Sequence, residues 1–212
     1  VEPAPELKEI TVSAGISPDT KAAVSDEGKF AWQANDQISV LATDGKYYTL
    51  TLSAGAGSKQ ADFTGSLPDG VNITSIATYP AQVENGAVSE IFNADSKTLS
   101  YTLPAEYTYS EGNTNVPMVA TFGEGATEIG FKHIGALVRI PLNGMPANSK
   151  VIVTVKDRGV TGTYAVPMDK VGSAEGAIAA TVQEGTNSVV TFAYNSTVSG
   201  QTAEFNLPFP TG

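Results

Sequence analysis

From Leu7 onward the apolar residues recur in short alternating runs, and Gly, Pro, Asn or Asp interrupts them at intervals of about 8 to 12 residues. That punctuation constrains the fold more than any other feature. An α-helix needs an apolar stripe repeating every three to four residues for ten residues or more, and no stretch here carries one. Short strands joined by turns satisfy the pattern, so the chain reads as all-β, a meander of antiparallel strands. "LKEITVSAGI", with Leu7, Ile10 and Val12 among polar residues, is the first strand. "KFAWQA" places Phe30 and Trp32 on one face, Asn35-Asp36 breaks the run, and "QISVLAT" alternates again. Asp44-Gly45 before "KYYTLTL" is a two-residue hairpin signal.

The longest β-like run, "ATEIGFKHIGALVRIPLNGMP", has Phe131 and Leu137 on one face and Ile134, Val138 and Ile140 on the other. It reads as a strand buried on both sides that opens a second domain. Glycines and acids cluster just before it in "GEGATE", which places the boundary between residues 1–125 and 126–212. The second part ends on "NLPFPTG", a strand and turn, and reads as short or incomplete. The acidic, proline-containing start "VEPAPELKE" is what a tether left after signal removal looks like.

Charge and composition narrow the function. Twelve Lys and Arg against 22 Asp and Glu give a net charge of −10, the wrong sign for nucleic acid phosphates or an anionic membrane surface. No stretch approaches the ~18 apolar residues of a membrane-spanning helix. The absence of cysteine removes disulfides, a thiol nucleophile and thiolate metal sites. His133 is the single histidine, and it sits inside the most apolar strand, where packing is its natural role. Two-histidine metal sites are excluded. Asp36, Asp44, Asp62 and Asp69 all fall at predicted turns, where aspartate caps the backbone. "NADSKT" and "SDEGK" are too short, and too basic at their ends, for a calcium loop. "SAGAGSKQ" lacks the ending and the following helix of a phosphate loop. The residues therefore point away from an enzyme, and neither a cofactor nor a metal is expected.

Aromatics leave one binding reading open. Tyr47, Tyr48, Tyr101, Tyr107 and Tyr109 could stack on sugars, but alternation puts Tyr48 on the face of Leu50 and Leu52, leaving Tyr47 as the exposed ring. Phe30 and Trp32 read as core, and Asn35-Asp36 as a turn whose side chains bond the backbone.

Taken in order, "ITVSAGI" with "TKAAV", "FAWQANDQISV", "ADFTGSLP", "ATYPA", "LSYTLPAEYTY", "VPMVATF" and "FKHIGALVRIPL" resemble the fimbrillin-like family of the Bacteroidales. These are the subunits and tip proteins of surface pili. The resemblance implies two tandem β-sandwich domains of transthyretin-like topology and export as a lipoprotein to the outer membrane and fimbrium. It further implies adhesion through contacts with other pilus subunits. It also implies a mechanism: a trypsin-like protease cuts in the loop after the first strand, here at Lys21, and frees Leu7, Ile10 and Val12 with their strand. A partner's strand then fills the groove, pairing the exposed backbone and apolar pockets. The alternative is a carbohydrate-binding surface lipoprotein of a glycan-uptake system.

Overall fold

The computed structural model describes residues 6–16, 31–109, 116–173 and 178–209. Among them the strands run, in chain order, β1 (Leu7–Ile16), β2 (Gln37–Ala42), β3 (Lys46–Ala54), β4 (Gln60–Pro68), β5 (Ile73–Tyr79), β6 (Ala87–Val88), β7 (Phe92–Asn93), β8 (Thr98–Leu103) and β9 (Glu106–Tyr109). They continue with β10 (Met118–Phe122), β11 (Glu128–His133), β12 (Ala136–Met145), β13 (Ser149–Thr154), β14 (Thr161–Pro167), β15 (Thr181–Asn187), β16 (Val189–Tyr194) and β17 (Gln201–Phe209). One 3₁₀ turn, Met168–Lys170, follows β14. The chain is all-β, as its punctuation predicts.

Two compact units form, and neither is a continuous half of the chain. The first takes 1–90, 117–133 and 168–176; the second takes 91–116, 134–167 and 177–212. A single boundary at 125/126 therefore does not divide them. The long apolar run is the reason: it is two strands, not one. β11 ends at His133, Gly135 adopts a φ of +71°, and β12 begins at Ala136. Glycine takes a left-handed φ without steric cost, and here that residue lies between the two strands. Phe131 then packs in the first unit, while Val138 in the second is 41% exposed.

In the first unit the hydrogen-bonded order is β2-β5-β10-β11-β1-β4-β3, and β3 pairs back to β2, so seven strands close into a ring with β6 appended to β3. This differs from the two separate sheets of a sandwich. Closure leaves no strand of the ring at an edge. It also has a parity consequence. Strands that alternate in direction cannot close a ring of odd number, so one pair must be parallel. That pair is β1–β11, Ser13–Ile16 against Glu128–Phe131. Among the described residues the second unit holds three smaller sheets, β12-β17, β13-β16-β9 and β15-β14-β8-β7. Its core gathers Met145, Val160, Val190, Phe192, Tyr194 and Ala203.

Candidate functional site: the slot of the first strand

β1 alternates because its even residues face the ring interior. Val12, Ala14 and Ile16 are buried, Ile10 is half-buried and packs on the core, and Leu7 on the other face is 68% exposed. Leu7, three residues before Ile10, thus stands on the face opposite Ile10 and Val12. The inward face is Ile10, Val12, Ala14 and Ile16, and the small Ala14 in "VSAGI" hid its continuation.

The strand is held unequally on its two sides. Nine consecutive residues, Leu7–Gly15, pair antiparallel with Gln60–Pro68 of β4. Four residues pair with β11, and parallel pairing is the weaker kind per residue. At its ends Ser13 N–H donates to the Thr127 carbonyl (2.8 Å), and Ile16 N–H to that of Lys59 (2.9 Å). On the outer face Thr11 and Thr64 share a hydroxyl bond at 3.3 Å, and Gln60 Nε2 donates to Ser13 Oγ at 3.2 Å.

Trp32 is the hub under β1. It is 1% exposed and meets Phe63, Tyr79 and Phe131 edge-on, with ring centroids 5.0, 5.1 and 5.5 Å away. Edge-to-face packing sets the positive rim of one ring against the negative face of another. Its indole Nε1–H donates to the Ala14 carbonyl at 3.0 Å, so the core ring is bonded to the first strand itself. The main chain of Trp32 is tied to the β3–β4 loop, its N–H donating to Ser58 O (2.9 Å) and its carbonyl accepting from Gly57 N–H (2.7 Å).

The neighbouring Asn35-Asp36 pair forms a turn. Asp36 N–H donates to Gln33 O at 3.1 Å, and Asn35 takes a φ of +70°, which asparagine tolerates better than most residues. Asp36 does more than cap: Oδ2 accepts from Gln33 N–H (2.7 Å) and Oδ1 from the Tyr79 hydroxyl (2.9 Å). Burial pushes this carboxyl above its ordinary range, and the two hydrogen bonds oppose that by favouring the charged form. A turn acid and a core tyrosine are thereby joined.

The other candidates disperse. Lys21 and Phe30 lie outside the described residues, and Leu137 falls in β12. Tyr47 is 1% exposed, which corrects the expectation of an open ring, and burial pushes its phenol up to about 12. Tyr48 and Tyr101 are buried, and Tyr107 stacks on Phe192 at 5.4 Å. Tyr48 Oη donates to Asp44 Oδ2 at 2.8 Å. No tyrosine platform is assembled from Tyr47, Tyr48 and Tyr101. His133 is buried at the end of β11, and burial lowers its imidazole to about 4, so it is neutral near pH 7.

No family model matches the chain, and no curated protein does. A solved structure from Bacteroides ovatus ATCC 8483, named "putative cell adhesion protein", is similar over 96% of this chain and 78% of its own, at 14% identity and a TM-score of 0.44.

Proposed function

We propose that the chain is a non-enzymatic adhesion subunit of the fimbrillin type, lipid-anchored at the cell surface, that joins like subunits by exchanging its first strand. The observation that supports this most is the manner in which β1 is held. It contributes a strand to a closed sheet and three buried side chains to the core, and its neighbours β4 and β11 pair with it through backbone groups. Any extended segment with small or branched residues at alternate positions satisfies the same groups, which is the chemistry of strand addition.

The energetics fit exchange rather than simple release. Burial of Val12 and Ile16 is worth about 3 to 6 kcal/mol together, before the ladder is counted. Losing that much would consume a large share of a typical domain's stability of about 5 to 15 kcal/mol. A cut alone therefore leaves β1 in place, and a replacing strand removes it by making the same contacts. Departure is easiest from the β11 side, where the pairing is short and parallel.

The test is incubation with a trypsin-like protease. A cut near Lys21 followed by growth of discrete higher oligomers is the expected outcome. A chain that is cut there and stays monomeric, or that resists cutting between β1 and β2, would overturn the reading.

A further inference from the structure

The chain holds two Asn-Gly pairs, Asn85-Gly86 and Asn143-Gly144, and the fold treats them oppositely. In such a pair the main-chain nitrogen of the glycine can attack the asparagine side-chain carbonyl carbon. A C–N bond forms, the amide C–N bond breaks with loss of ammonia, and water then opens the cyclic imide to aspartate or isoaspartate. The reaction needs a free side-chain amide and a glycine nitrogen not already engaged.

Asn85-Gly86 has neither. The Asn85 Oδ1 accepts from Thr49 N–H at 2.9 Å, and Gly86 N–H donates to the Tyr47 carbonyl at 2.7 Å. Both reacting groups are fastened to β3, in a turn closed by Ala87 N–H donating to Glu84 O at 3.1 Å. Asn143-Gly144 sits where the β12–β17 ladder slips. Leu142 pairs with Ala203 and Met145 with Gln201, so two residues of β12 stand against one of β17. That is a β-bulge, whose extra residue the ladder leaves over. Both residues are exposed, the Asn143 side chain has no hydrogen-bond partner among the described residues, and Gly144 holds a φ of +70° with no atom within 4 Å of where a Cβ would be.

We infer that Asn143 is a site of spontaneous deamidation in the folded protein, with water as the co-reactant, and that Asn85 is protected. Conversion makes the net charge one unit more negative than −10. When the product is isoaspartate it adds one main-chain carbon at the bulge, leaving the continuous pairing of Ala136–Leu142 with Ala203–Phe209 undisturbed. The protein therefore ages at this position without unfolding.

Folded protein is incubated at mildly alkaline pH and 37 °C, and peptide mapping by mass spectrometry follows both asparagines. Asn143 should convert about 10- to 30-fold faster than Asn85, the factor that two ordinary hydrogen bonds are worth. In guanidinium-unfolded chain the two rates should come within about threefold of each other, less than the factor of about 5 that one typical hydrogen bond is worth. Equal rates in the folded chain, faster loss of Asn85, or no conversion at either position would overturn the inference. The same preference for Asn143 in the unfolded chain would overturn its structural basis.

Discussion

Replacing Trp32 by phenylalanine removes a core side chain that hydrogen-bonds to the first strand. The Ala14 carbonyl, which lies in the ladder against Ala61, loses the Nε1–H at 3.0 Å, a cost of about 0.5 to 1.5 kcal/mol for one lost hydrogen bond. The smaller ring also leaves space among Phe63, Tyr79 and Phe131 and weakens at least one of three edge-on contacts, adding about 1 to 2 kcal/mol. The sum is about 2.5 kcal/mol, a substantial part of a domain stability of about 5 to 15 kcal/mol. Because Trp32 is the single tryptophan, its loss removes the fluorescence signal, and urea unfolding should be followed by circular dichroism. Hydrogen exchange locates the effect: the amides of Ser13–Ile16 should lose more protection than those of β5, which the indole N–H does not touch. A destabilisation under about 1 kcal/mol, or equal loss across β1 and β5, would refute the role given to the indole bond.

Three further outcomes follow from the same unit. Tyr79→Phe removes the hydroxyl that Asp36 Oδ1 accepts and should cost about 1.5 to 3 kcal/mol in urea unfolding; because that bond favours the ionised acid, the Asp36 carboxyl should also titrate higher, read by NMR. His133 is lowered to about 4 in the folded chain against 6.5 unfolded, so the unfolded state alone takes the proton between those values. Stability should therefore fall by up to about 3 kcal/mol as pH drops from 7 to 4 and level off below, and His133→Gln should flatten that segment of the curve. Gly65→Ala would set a Cβ 2.5 Å from Leu50 Cδ2 and 2.8 Å from the Thr49 carbonyl, an overpacking of β4 against β3 that should cost about 1 to 3 kcal/mol by thermal unfolding.

Local signals in the sequence carried much of this and failed at specific places. The turn at Asn35-Asp36 and the β2–β3 and β3–β4 connections were legible because Asn, Asp and Gly mark them directly. The strand break at Gly135 was not, since one glycine inside an apolar run is also compatible with a continuous strand. Interleaving of the two units was hidden for the same reason, because strand pairing at long range leaves no local trace. The closed ring depends on β2 meeting both β3 and β5, which alternation cannot specify. Tyr47 is buried on the face that alternation called polar, with Thr49 and Thr51 half-buried beside it, because a face can be covered by chain that the period of two does not see. The Trp32–Ala14 and Tyr79–Asp36 bonds join residues 18 and 43 positions apart, distances at which a single sequence gives no signal.

Strand exchange is tested most directly by supplying the strand. The protein is cut between β1 and β2 and incubated with a labelled peptide of the sequence LKEITVSAGI, and native mass spectrometry follows which strand each molecule carries. Exchange predicts that the labelled peptide replaces the original strand while the remaining chain stays folded, and that a peptide with aspartate in place of Val12 is refused. A cut chain that keeps its own strand and takes up no peptide, or that accepts the aspartate peptide equally, would contradict a slot built to be refilled.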